Sequence, residues 1–195
     1  TSFPKQNAGN PIGIGSNITF GGSGEMDNGW TVALSVAHSN KAVYSNTNVT
    51  VTVPSVGDFR ISQGVSGSGI DRMDDMTPTV WEEAYGAGLG SGIDTVSGVS
   101  GAANIEFTPN MTPDGITARI AYSPNAGGSG AADKGSAESS GSVKDSGYDI
   151  TIVADGAATP DGLTIYAGLS KIDQHESVTF ADDVTETTAG IKYAV

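Results

Sequence analysis

The chain has 195 residues, 22 acidic against 9 basic for a net charge of −13, and no cysteine. That charge repels nucleic acid and anionic surfaces at long range, and the absent thiols exclude disulfides, thiolate metal sites and a cysteine nucleophile. No apolar run reaches the roughly 18 residues of a membrane-crossing helix, so a bilayer could be spanned only by strands of about 9 to 11 alternating residues.

The opening, TSFPKQNAGNPIGIG, is polar and has no basic start followed by an apolar run, so it does not read as an export leader. SNITFGGSGE then alternates, with Ile18 and Phe20 on one face and Thr19 and Gly21 on the other. Asp27-Asn28-Gly29 reads as a tight turn, because Asn and Gly accept the positive φ that short hairpins require. In WTVALSVAH, Trp30, Val32, Leu34 and Val36 share one face and Thr31, Ala33 and Ser35 the other, a period of two and not of 3.6. A connection from Ser39 to Asn46 leads to NVTVTVP. Ser55-Val56-Gly57 then turns the chain into DFRISQ, where Phe59 and Ile61 oppose Arg60 and Ser62. These β-branched and aromatic residues favour extended chain.

The succession breaks at Gly64–Ala102, an acidic, glycine-rich stretch too long to be an ordinary connection in a compact domain. Anchored by a strand at each end, such a loop can fold over or into whatever the sheet encloses. Its acids are Asp71, Asp74, Asp75, Glu82 and Glu83, and WEEAYG within it suits one helical turn with Trp81 and Tyr85 four apart. Strands resume with Ile105 and Phe107 opposite Asn104 and Glu106, and the Pro109–Asp114 turn reverses the chain into GITARIAYS, which carries Arg119 on its polar phase. Ser123–Ser146 is a Gly-, Ser- and Ala-rich connection. GYDITIVA and GLTIYAGLS form a further hairpin joined by Asp155–Asp161. Lys171–Thr188 is a polar connection, and AGIKYAV, with Lys192, opens a ninth strand.

Two regularities emerge. Connections near positions 27, 55, 109 and 155 are short while those near 39, 64, 123 and 171 are longer, so one rim of an up-and-down sheet would carry the turns and the other the loops. One strand face is Ile, Val, Leu, Phe, Tyr or Trp. The other is Thr, Ser, Asn, Gly and scattered charges, without bulky aliphatics. A sandwich and a water-filled barrel both fit that alternation. The barrel is favoured because no helix is available to cover the apolar faces.

Catalytic patterns are missing. Glu82 and Glu83 are adjacent and would diverge, and neither a nucleophile elbow nor a phosphate-binding loop occurs. Asp71, Asp74 and Asp75 suggest a cation such as Ca2+, although they lack the alternating ligands and distal Glu of a helix-loop-helix calcium loop. His38 and His175 stand alone in connections, without metal-binding spacing.

The runs SNITFGGSGEMDNGWTVALSVAH, VTVTVPSVGDFRISQG and DRMDDMTPTVWEEAYG resemble the general bacterial porins of Gram-negative outer membranes, particularly those of alphaproteobacteria, from about Gly13 to Val195. The resemblance implies an all-β, antiparallel up-and-down transmembrane barrel of about 16 strands, usually a homotrimer. It would sit among outer-membrane lipid and lipopolysaccharide and pass small hydrophilic solutes and ions by passive diffusion, with no enzymatic activity and no cofactor. The third external loop of such porins narrows the lumen, and residues 64–102 match it. Asp71, Asp74, Asp75, Glu82 and Glu83 would then face Arg60, Arg119, Lys192 and Glu106 of the wall. Residues 1–195 are expected to form one domain supplying nine strands of a longer barrel, since neither an export signal nor the family's terminal aromatic strand is recognisable. The other expectation is a secreted or surface-layer β-rich adhesion domain, which shares the acidity, the Gly and Thr content and the lack of cysteine.

Overall fold

The computed structural model describes residues 17–39, 43–76, 98–126, 144–174 and 183–194. Nine strands succeed one another: β1 (Asn17–Glu25), β2 (Thr31–Ser39), β3 (Val43–Val53), β4 (Gly57–Gln63), β5 (Asn104–Pro109), β6 (Ile116–Ser123), β7 (Lys144–Ala154), β8 (Leu163–Gln174) and β9 (Val184–Tyr193). Each pairs antiparallel with the next, giving one up-and-down sheet in sequence order whose edges are β1 and β9. Among the described residues the only helical pieces are 3-10 turns at Gly69–Met76 and Gly156–Ala158.

Turn chemistry sets the register. Gly29, at φ +80°, closes the β1–β2 hairpin with its N–H on the Met26 carbonyl at 2.8 Å, while Asn28 Oδ1 accepts the Trp30 N–H at 3.1 Å. Alternation then carries side chains of like character to the same side across the whole sheet. On one side Leu34, Val49, Ile61, Ile105 and Tyr122 lie opposite one another in successive strands, followed by Tyr148. Ile120, Ile150 and Leu169 continue the same side. Phe59 and Phe107 stack there with centroids 4.6 Å apart. No described residue covers this face: Phe20, Ile61, Ile105, Ile120, Ile152 and Ile191 are each about half exposed or more.

The buried residues lie on the other side. Ile70 and Met73 of the loop pack on Val153 and Tyr166, and Val99 packs with Ala121, Ala126 and Ile172. The expectation of a polar face without bulky aliphatics is therefore corrected locally, since Val153, Tyr166, Ile172 and Val184 occupy its polar phase where the loop lands.

Three boundaries also differ from the sequence reading, the first being that β7 begins at Lys144, inside the connection expected at Ser123–Ser146. The connection expected at Ser39–Asn46 shrinks to residues 40–42, because β2 and β3 stay paired out to Ser39 opposite Val43, across a bulge at Ala37 and His38. His38 is thus a strand residue. Connection length separates the two rims only through the long connections 64–103 and 124–143, since 175–183 is barely longer than 155–162 on the other rim. The expected connection at Lys171–Thr188 is mostly strand, with β8 running to Gln174 and β9 starting at Val184. Thr185, Thr187 and Thr188 fall on both faces and hide the alternation, but the ladder with β8 extends them.

Candidate functional site

Residues 64–76 and 98–103, the two arms of the long loop, lie on the polar face of the sheet. The arms are tied at their root, with the Gly64 N–H on the Gly101 carbonyl and the Gly101 N–H on the Val65 carbonyl, both 3.2 Å. Asn104, at the start of β5, donates its amide to the Ser68 hydroxyl and to the carbonyls of Val99 and Ala102, and accepts from the Ser62 hydroxyl. It is fully buried, so all of its capacity goes to fixing where the loop leaves and rejoins the wall.

Three carboxylates of the wall then grip the loop. Oδ2 of Asp149 on β7 accepts the Ile70 N–H from the outgoing arm at 3.0 Å and the Val99 N–H from the returning arm at 3.1 Å. Oε2 of Glu106 on β5 accepts the Gly69 N–H at 2.7 Å, and Oε2 of Glu186 on β9 accepts the Gly98 N–H at 2.8 Å. Hydrogen bonds to an ionised acceptor are stronger than neutral ones, contributing about 1.5–3 kcal/mol each. Glycine is required at two of these contacts. Gly69 and Gly98 have φ of +57° and +51°, and a Cβ on either would fall inside the Asp149 carboxylate.

Around Glu106 gather three guanidinium groups. Arg72 of the loop forms an ion pair with it, Nη2 to Oε1 at 2.5 Å, and adds a second bond from Nε to Oε2 at 3.2 Å. Arg60 stands opposite Glu106 on β4 and donates to the Gly67 carbonyl at 3.2 Å. Arg119 on β6 lies within electrostatic reach of both Arg72 and Glu106. Among the described side chains, three guanidinium groups thus gather around one wall carboxylate, with Asp71 of the loop close by.

This geometry brings some of the expected residues together and rearranges others. Arg60, Arg119 and Glu106 share one site, and the ion-pair partner of Glu106 is Arg72, so a wall acid holds a loop base. Asp71 ties the loop internally, its Oδ2 accepting from the Gly67 N–H and from the Ser100 hydroxyl, the latter at 2.8 Å. Asp74 and Asp75 sit in the 3-10 turn, with side chains outside the described residues; Glu82, Glu83, Trp81, Tyr85 and His175 lie outside them altogether. Lys192 is on the polar phase of β9, opposite Thr164 and away from the arginines. Among the described residues no three His, Asp or Glu converge on a metal position.

No family model, curated protein or solved structure matches the chain. Its function is therefore read from the site itself. Asp149, Glu186, Arg72 and Asn104 were missed in the sequence. A signal for Asp149 existed: it is a lone acid on the polar phase of the otherwise apolar run YDITIVA, a position where a charge needs a partner. Arg72 was hidden by its acidic neighbours.

At the rim nearest the loop, Lys171 bridges Asp183 at 3.1 Å and Asp173 at 3.5 Å. The Lys171 ammonium, helped by the Gln174 N–H, holds the Asp183 carboxyl below the usual carboxylate range.

Proposed function

We propose that the chain is wall and inward loop of an outer-membrane diffusion channel of the porin kind. One observation carries this reading: among the described residues, both arms of the long loop lie on the hydroxyl-rich face of the sheet and none covers the aliphatic and aromatic face. A sandwich or a helix-backed sheet would have buried the opposite side. Val32 and Val51 are only partly buried, and Ile105 and Ile150 are 47% and 44% exposed, which is the reverse of a two-layer core. Soluble monomers rarely leave contiguous apolar patches above a few hundred Å2. An apolar face crossing nine strands at a spacing of ~4.8 Å is about 38 Å wide.

Strand dimensions support the same reading. β1, β2, β3, β7, β8 and β9 have 9 to 12 residues, the length of a tilted bilayer-spanning strand. The shorter β4 and β5 are the strands from which the loop leaves and to which it returns, and the short β6 follows them. Closed into a water-filled barrel of about 16 strands and assembled as a trimer in lipopolysaccharide-bearing membrane, the sheet would offer its arginines and the loop acids to passing solutes. Opposed charges across a narrow, low-dielectric passage orient water and dipolar solutes and hinder apolar ones.

The test is reconstitution into planar bilayers with parallel gel analysis. Stepwise ohmic conductance and a gel mobility that shifts only on heating in detergent are expected. A protein that stays soluble without detergent and conducts nothing would refute the channel and favour an adhesion domain.

A further inference from the structure

Beside the loop contacts lies a polar cluster that docking leaves incomplete. Asp149 of β7, Ser170 of β8 and Glu186 of β9 stand directly opposite one another in the ladder, one row across three strands of the polar face. Thr151 follows Asp149 on the same face. Asp149, Thr151 and Ser170 are at most 1% exposed, and Asp149 Oδ1, Thr151 Oγ1 and Ser170 Oγ make no hydrogen bond of normal geometry among the described residues, although the Ser170 hydroxyl lies close enough to the Asp149 carboxylate to stabilise its charge. Each orphaned buried atom costs about 1–3 kcal/mol.

Among the described side chains, charge is also unbalanced here. Glu186 is close enough to repel Asp149. Arg60, Arg72 and Arg119 gather at Glu106 instead, Lys171 is on the opposite face of β8, and Lys192 is six residues along β9, about 20 Å away. A buried water could meet some of the orphaned atoms but none of the charge. A divalent cation meets both requirements. Carboxylate and hydroxyl oxygens are hard donors, and Ca2+ accepts six to eight such oxygens in flexible geometry, waters included.

We propose that Asp149, Glu186, Ser170 and Thr151 bind one hard divalent cation of the calcium class beneath the returning arm of the loop. The ion would share the carboxylates with the loop: Oδ2 of Asp149 and Oε2 of Glu186 keep their N–H groups while Oδ1, Oε1 and the two hydroxyls face the metal. This site is separate from Asp71, Asp74 and Asp75, and it does not require the sheet to close or to conduct.

Equilibrium dialysis of the chelator-stripped full chain against CaCl2, with MgCl2 and NaCl as competitors, tests the proposal. Saturable uptake of one Ca2+ per chain is expected, abolished by Glu186→Gln and weakened about tenfold by Thr151→Val or Ser170→Ala. Asp58→Asn, an exposed acid on β4, should leave uptake unchanged. Thr151→Val is nearly isosteric and removes only the hydroxyl, so it decides the matter even if the Glu186 variant fails to fold. No saturable uptake, uptake indifferent to Thr151→Val and Ser170→Ala, or a Thr151→Val protein that is more stable with no calcium dependence would each overturn the site. The readout is metal bound, so this outcome is independent of any conductance result.

Discussion

Asp149→Ala is the most informative perturbation, because one carboxylate oxygen holds both arms of the loop. The substitution removes two charge-assisted bonds, at 3.0 and 3.1 Å, and leaves the Ile70 and Val99 N–H groups without an acceptor. At about 1.5–3 kcal/mol each, the gross loss is about 3–6 kcal/mol. Alanine also removes the cost of burying the carboxylate, which offsets part of that, so a net loss of about 2–3 kcal/mol is expected. At 1.4 kcal/mol per decade, the undocked loop becomes about 30- to 150-fold more populated. Asp149→Asn keeps a neutral oxygen and should show roughly half the energetic effect. The assay is amide hydrogen exchange at Ile70 and Val99, compared with β3 amides that report on the sheet. Because both N–H groups share one acceptor, their protection should fall by similar factors in each variant. Unchanged protection in Asp149→Ala, or loss at one amide alone, would refute the shared anchor.

Four further outcomes follow from the same geometry. Gly98→Ala places a methyl group inside the Asp149 carboxylate at a φ of +51°, so the returning arm should lift and become more protease-sensitive, while Gly22→Ala, which has open space, should not. Replacing Arg60 and Arg119 together by Gln should shift the reversal potential in a salt gradient towards cation selectivity; an unchanged potential counts against their facing the conducting path. Ile150→Arg, on the aliphatic face, should cost about 2–4 kcal/mol for insertion into a bilayer, and wild-type yields of folded protein in lipid would show that this face does not meet hydrocarbon. The Asp183 carboxyl is held low by Lys171, so its contribution is complete above the ordinary carboxylate value of about 3.9 and disappears as pH falls through the depressed folded value. Protection of the Gln174 amide, corrected for intrinsic exchange, should drop on acidification through that window in the wild type and show no such step in Lys171→Met.

The sheet was legible because its signal is local. The Asp27-Asn28-Gly29 turn and the Val49, Val51, Val53 alternation each state strand and face within a few residues, and all nine strands follow that logic. What misled was chain polar on both sides: Thr185 and Thr187 face the same way as Ile191, and hydropathy alone cannot distinguish a strand end from a loop there. The site was less legible for a different reason. Loop and wall meet through backbone N–H groups of Gly69, Ile70, Gly98 and Val99, which carry no side-chain signature, and their acceptors lie far along the chain. Counting acids in the loop suggested where charge would be found. It gave no sign that the wall acids would do the holding, or that Arg72 would be the loop residue they hold.

The sheet order has a consequence through parity. An antiparallel meander with an odd number of strands has its first and last members running in the same direction, so β1 and β9 could meet only as a parallel seam, with slanted bonds unlike any other pair in the molecule. A ring that stays antiparallel throughout needs an odd number of additional strands between those two margins, and seven would complete sixteen. Among the described residues neither margin has a further strand beside it, so each is a template on which an incoming ribbon finds its direction already set.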